Sequence, residues 1–117
     1  MKTILLIEDN KNLRLLYQWE LSLEGYFVIT AIDGTEAMSK IKELTPDVII
    51  IDFYLAKSCT LCDLILNEYK KTHMIIHTTN SSYKDGCQLW PPAAFVLKSS
   101  DLTELKQKVK GLGSVNK

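Results

Sequence analysis

Two uninterrupted apolar runs organise the chain: Ile4-Leu5-Leu6-Ile7 near the start and Val48-Ile49-Ile50-Ile51 near the middle. Short runs of β-branched and leucine residues without polar alternation are strands buried on both faces, the pattern of a central parallel sheet. Between them and after them, helical and strand periodicities alternate, which is the signature of an α/β domain. From Asn10 to Glu24, Leu13, Leu16, Tyr17 and Leu21 recur at helical spacing, and Gly25 supplies the stop. A strand follows over Tyr26 to Ala31. Asp33-Gly34-Thr35-Glu36 opens a second helix with a buried stripe of Ala37, Ile41 and Leu44, and Pro46-Asp47 turns into the third strand. Leu61 to Lys71 is expected as a third helix, Met74 to Thr78 as a fourth strand and Phe95 to Leu97 as a short fifth. Asp101 and Glu104 form a capping-box start for a last helix reaching about Gly111. Gly86 and Pro91-Pro92 limit the connection between Asn80 and Pro92 to a short or irregular helix, because interior proline costs ~3 kcal/mol and glycine ~1 kcal/mol.

Both apolar runs end in carboxylate. Ile7 leads straight into Glu8-Asp9, and Ile51 into Asp52. If the two strands are parallel neighbours, the three acids meet at the carboxyl edge of the sheet, where open α/β folds bind ligands. Like charges crowded together call for a cation, and oxygen ligands suit a hard divalent ion, Mg2+ first and Mn2+ as an alternative.

The chain has 117 residues, 46% of them hydrophobic, and a formal net charge of zero. That is one domain, able to bury roughly two thirds of its unfolded surface. The neutral balance gives no footprint for nucleic acid, so Lys106, Lys108 and Lys110 are expected on a solvated helix face and direct nucleic-acid binding is not expected. No apolar run reaches the length of a signal-peptide core or a membrane span, and a cytoplasmic protein without membrane contact is expected. Three cysteines argue against a disulfide framework. Cys59-Thr60-Leu61-Cys62 is a C-x-x-C, but no second pair accompanies it, and Cys87, His73 and His77 lie at no recognisable ligand spacing.

Glu8-Asp9 after the first strand, Arg14, Gly25-Tyr26, Asp33-Gly34, Pro46-Asp47, Asp52, Thr78 and Lys98 together resemble the receiver domain of two-component response regulators. The resemblance runs from Lys2 to about Gly111, leaving Leu112 to Lys117 as a short tail with no output domain expected after it. It implies a single receiver domain over residues 1–117, with a five-stranded parallel sheet of order 2-1-3-4-5 and helices on both faces. It further implies that Asp52 is the phosphoacceptor, taking a phosphoryl group from a sensor histidine kinase or a histidine phosphotransfer protein. Asp9, Asp52 and the backbone carbonyl of Tyr54 would bind Mg2+ directly, with Glu8 acting through a coordinated water. Lys98 and Thr78 would contact the phosphoryl oxygens, and Thr78 with Phe95 would form the switch that changes the surface offered to a downstream protein. Such a domain is a switch rather than an enzyme with a separate substrate, and a monomer or weak homodimer is expected.

Departures from the family pattern are local. Ala56 stands where a proline is usual, Thr60 where a glycine is usual, Thr79 where an alanine is usual, and Pro91-Pro92 replaces Gly-Ala. Ser99 follows the lysine in place of a proline whose bond the family holds cis; the same geometry at a non-prolyl bond costs ~2.5–4 kcal/mol. Loss of a fixed and a permissive φ predicts a changed path after Asp52. Two rival readings follow: a degenerate receiver acting as an unphosphorylated interaction module, and an enzyme or cofactor carrier on the same fold. A haloacid-dehalogenase-type phosphatase would want an acid at position 54, which is Tyr54, and a flavodoxin would want a phosphate loop where Glu8 and Asp9 repel phosphate.

Overall fold

The apolar runs lie side by side in the middle of an all-parallel sheet. The computed structural model describes residues 2–58, 67, 71–78, 94–98 and 101–114. Its elements in chain order are β1 (Thr3–Ile7), α1 (Lys11–Leu23), β2 (Phe27–Ala31), α2 (Gly34–Leu44), β3 (Val48–Asp52), α3 (Phe53–Ser58), β4 (His73–Thr78), β5 (Ala94–Leu97) and α4 (Thr103–Ser114). The five strands are ordered β2-β1-β3-β4-β5, as expected. Ile7 pairs with Ile51, Asp52 with His77, and His77 with Val96, so the strand ends come into line along one edge.

Alternation along each strand sends its side chains to two apolar layers. One layer joins Leu5, Ile7, Ile49, Ile51 and Ile76 to Ala37 and Ile41 of α2 and Ala56 of α3. The other joins Ile4, Leu6, Ile50 and Ile75 to Tyr17 and Leu21 of α1, to Leu102 just before α4, and to Leu105 and Val109 within it. Each fully buried Ile or Leu contributes about 1.5–3 kcal/mol, which holds the central strands in a single register.

Local signals set the helix ends. Asn10 Oδ1 accepts from Leu13 N at 3.1 Å to start α1. Gly25, at φ 96°, ends it, with Gly25 N donating to Ser22 O and Tyr26 N to Leu21 O. That paired closure satisfies carbonyls the helix would leave open. Asp33 Oδ1 accepts from Glu36 N at 2.9 Å and caps α2, as its position in the sequence predicts. After α2, Asp47 Oδ2 accepts from Thr3 N at 2.8 Å, tying the turn into β3 to the start of β1.

Four expectations need correction. Leu16 and Leu44 are 37% and 39% exposed rather than core, because α1 and α2 carry more apolar positions than one inward face can use. At α4, Asp101 Oδ1 accepts from Thr103 N, two residues on, rather than capping at Glu104, so the helix begins at Thr103. The same helix continues through Leu112, which packs against the second layer instead of starting a tail. Helical structure also begins directly after Asp52, in α3, where a loop was expected. The expected helix over Leu61 to Lys71 lies almost wholly outside the described residues. The Asn80–Pro92 connection, the three cysteines and the Lys98-Ser99 bond also lie outside them. Among the described residues, no helix is long and apolar enough to cross a membrane.

Candidate functional site

Glu8, Asp52, His77 and Lys98 meet at the carboxyl edge of the sheet, on the α1 and α4 side. Continuing the alternation from Leu6, Ile50, Ile75 and Val96 places all four on that face. Glu8 follows β1, Asp52 ends β3, His77 precedes the last residue of β4, and Lys98 follows β5. Lys98 is fixed at its backbone by donation from its N–H to the carbonyl of Thr78 at 2.6 Å.

The Lys98 ammonium lies between two carboxylates. Nζ is 2.6 Å from Glu8 Oε1 and 2.7 Å from Asp52 Oδ2. Every carboxylate oxygen of this pair has a neighbour that fixes it. Glu8 Oε2 accepts from Asn10 N at 2.9 Å, while Asp52 Oδ1 accepts from Tyr54 N at 2.9 Å and Leu55 N at 3.2 Å. Asp52 therefore uses one oxygen to start α3 and turns the other toward Lys98. Arg14 Nη1 donates to the Glu8 carbonyl at 2.9 Å and holds the acidic turn against α1.

Glu8 is fully buried, and burial pushes its carboxyl above the usual carboxylate range. Lys98 and the Asn10 N–H pull it part of the way back, and the neighbouring Asp9 carboxyl adds to the rise. For Lys98 burial acts downward, but its bonds to Asp52 and Glu8 outweigh it and hold the amine above its ordinary value. The ammonium is charged at neutral pH. His77 is lowered to about 3 by burial, with the Lys98 charge acting the same way and Asp52 opposing. Its ring is neutral; it packs on Tyr17 at a centroid distance of 5.3 Å, with Nε2 3.5 Å from Glu8 Oε1.

The expected residues are placed unevenly. Glu8, Asp52 and Lys98 are in contact, and Thr78 is buried at the end of β4 next to His77. Asp9 is exposed on the turn beside Glu8. Tyr54 lies in the first turn of α3, and a helical residue directs its carbonyl toward the C-terminal end of its helix. That first turn is capped by Asp52 Oδ1. Phe95 pairs through its backbone with Ile76, and its side chain is outside the described residues.

The donors suit a hard cation, since they are carboxylate oxygens and a positive charge is already lodged between two of them. Among the described residues no group of three or more His, Cys, Asp or Glu side chains is gathered closely enough to hold a metal ion. A divalent ion held by Glu8, Asp9 and Asp52 thus fits the donor chemistry and requires a rearrangement of this lysine-bridged state.

A family model described as the response regulator receiver domain matches residues 4–110. The chain belongs to the response regulator receiver domain family. Among curated proteins, this receiver is 33% identical to Protein PilG of Pseudomonas aeruginosa over 118 residues, covering 96% of the chain and 83% of PilG. It is 43% identical over 56 residues to the alkaline phosphatase synthesis transcriptional regulatory protein PhoP of Bacillus subtilis, covering 48% of the chain and 23% of PhoP. The receiver thus matches about a quarter or less of the length of such regulators. Among solved structures, the response regulator TrrA of Thermotoga maritima, in complex with Mg2+ and BeF, superposes with a TM-score of 0.85 at 34% identity, covering 96% of this chain and 99% of that one. TrrA has also been solved in complex with the histidine kinase ThkA, with the same TM-score and identity.

Two contributors carry only faint signals in the sequence. Arg14 lies six residues after a strand-end acid, within reach of the turn's carbonyls. His77 lies two positions after Ile75 along β4, which puts it on the same face as Glu8 and Asp52.

Proposed function

We propose that this receiver domain is a phosphorylatable switch whose acceptor is Asp52 Oδ2. The reading rests on one observation above all, the Lys98 ammonium set between Glu8 and Asp52 with Asp52 Oδ1 already engaged by backbone N–H groups. An electron pair of Oδ2 attacks the phosphorus of a phosphohistidine on a partner, the P–N bond breaks, and its electron pair returns to the partner's imidazole. The attacking carboxylate oxygen carries no proton to be removed by a base. Tyr54 N and Leu55 N keep the carboxylate from rotating, and the nucleophilic oxygen stays on the Lys98 side. Lys98 then follows the negative charge onto a phosphoryl oxygen, and the Thr78 hydroxyl donates to another. Asp52 and Asp9, with Glu8 through a water, would hold Mg2+, which would supply neutralisation of the charge on the transferring group; Mn2+ has the same donor preference.

The donor is a sensor histidine kinase or a histidine phosphotransfer protein, in line with the kinase complex of TrrA. Phosphorylation adds roughly −1.5 to −2 charge at Asp52, and Thr78 with Phe95 carries the change to a surface read by a downstream protein. The setting is cytoplasmic. The test is treatment with phosphoramidate or acetyl phosphate and Mg2+, followed by intact-mass measurement: wild type gains one phosphoryl group, and Asp52→Asn gains none. An equal gain in Asp52→Asn removes the assignment, and no gain in wild type favours an unphosphorylated interaction module.

A further inference from the structure

His77 is almost wholly buried, yet among the described residues neither ring nitrogen has a hydrogen-bond partner. Buried polar groups are nearly always paired, so an unpaired imidazole in a charged site needs an explanation. Its neighbours supply one. Nε2 lies 3.5 Å from Glu8 Oε1, just beyond a good hydrogen bond, and that oxygen is held by Lys98 at 2.6 Å. The other Glu8 oxygen is already satisfied by Asn10 N.

We infer that His77 is a positioning residue that takes over Glu8 when Lys98 leaves it, donating Nε2–H to Oε1 once the ammonium has moved to a phosphoryl group on Asp52. The inference rests on the phosphoacceptor reading of Asp52. When Lys98 follows new charge at Asp52 it gives up its 2.6 Å contact with Oε1 of the buried Glu8, and His77 Nε2 stands 3.5 Å from that same oxygen. An unpaired carboxylate there would resist the transfer. His77 answers the need with a neutral donor. It adds no charge to compete with Lys98, and Tyr17 packs against its ring at 5.3 Å and limits its rotation. The Asp52–His77 register of β3 and β4 sets the ring beside the acceptor itself.

The test uses wild type, His77→Leu and His77→Gln. Intact mass after phosphoramidate first establishes phosphoryl uptake by wild type. Calorimetry then measures Mg2+ alone and beryllofluoride with Mg2+. The expected result is that His77→Leu binds beryllofluoride with Mg2+ about tenfold more weakly than wild type, the worth of one hydrogen bond to a charged group. His77→Gln, which retains an N–H donor, recovers most of the loss. In wild type, the 15N-correlated NMR signal of the Nε2-bound proton moves downfield when beryllofluoride is added. Equal beryllofluoride affinity in His77→Leu and wild type, or an Nε2–H signal that does not move, overturns the inference and leaves the acceptor role of Asp52 intact. Failure of wild type to take up either phosphoryl or beryllofluoride overturns both. If His77→Leu does not fold, His77→Gln and the wild-type NMR signal decide.

Discussion

Replacing Lys98 by Met keeps the length of the side chain and removes the charge that Glu8 and Asp52 share. Removing one partner of a buried ion pair costs about 3–5 kcal/mol, because the remaining charge is stranded out of water. Here two carboxylates lose the same partner, at 2.6 and 2.7 Å. Asp52 retains the N–H groups of Tyr54 and Leu55, and Glu8 retains that of Asn10. These reliefs put the loss near the lower end, ~3 kcal/mol, a large part of the roughly 5–15 kcal/mol of a native domain. Urea unfolding at neutral pH with EDTA should show a midpoint lower by at least ~1 M with an unchanged slope. Adding Glu8→Gln to Lys98→Met should recover most of the loss, since the stranded charge is then absent. A loss under ~1 kcal/mol, or a double variant no more stable than Lys98→Met, would show that the ammonium is not what makes the buried acids tolerable.

Gly25→Ala should cost ~1–2 kcal/mol in urea or thermal unfolding, purely from backbone strain at φ 96°, because an added Cβ meets nothing within 4 Å; an unchanged midpoint would refute the left-handed closure of α1. For His77, the folded-state value of about 3 lies below the unfolded value near 6.5, so its contribution is complete above pH 6.5 and is lost as pH falls toward 3. Between pH 7 and pH 5 this amounts to ~2 kcal/mol in metal-free protein, and His77→Leu should lack it. Glu8, raised by burial, acts in the opposite direction, while Lys98 stays charged throughout and Asp52 is common to both proteins; the difference between wild type and His77→Leu therefore isolates the imidazole. Parallel pH profiles for the two proteins would place His77 in a hydrated setting instead. Asp33→Ala removes the Oδ1 cap on Glu36 N and should cost ~1 kcal/mol, read in the same assay.

The strand order and the site were legible from the sequence for a common reason. Ile4–Ile7 and Val48–Ile51 have no polar position that could face water, which leaves the middle of a parallel sheet as their place, and whatever follows such a strand is delivered to the ligand edge. Asn10, Gly25 and Asp33 were legible because capping is a local contest between a side chain and a few N–H or C=O groups. What escaped depends on choices between faces or between partners. In α1, Leu15, Leu16, Trp19 and Leu23 are as apolar as the positions that face inward, yet Trp19 is 66% exposed, and only the packing of Tyr17 and Leu21 decides the face. At Asp52, the sequence offers a carboxylate with two equivalent oxygens, and nothing in Phe53-Tyr54-Leu55-Ala56 says that one of them will cap a helix.

That division of labour within Asp52 links the proposed acceptor to the structure around it. Oδ1 holds the first turn of α3 through Tyr54 N and Leu55 N, and Ala56 of the same helix is buried in the layer shared with α2. Oδ2 holds Lys98, and Lys98 N holds the carbonyl of Thr78. New charge on one oxygen therefore bears on β4 and β5, while the other oxygen stays bound to α3. The helix gives the carboxylate a fixed orientation, and in doing so it turns the Tyr54 carbonyl away from the acids. An oxygen at position 54 becomes available to a cation only if the first turn of α3 opens, which breaks the Asp52 Oδ1 bonds. Metal binding through that carbonyl and capping by Oδ1 are thus competing states of one short segment, and Mg2+ should loosen the start of α3 as it binds. Hydrogen exchange at Tyr54 and Leu55, measured with and without Mg2+ on unphosphorylated protein, reads that competition directly: faster exchange with Mg2+ is expected, and slower exchange would show that the ion and the helix cap coexist.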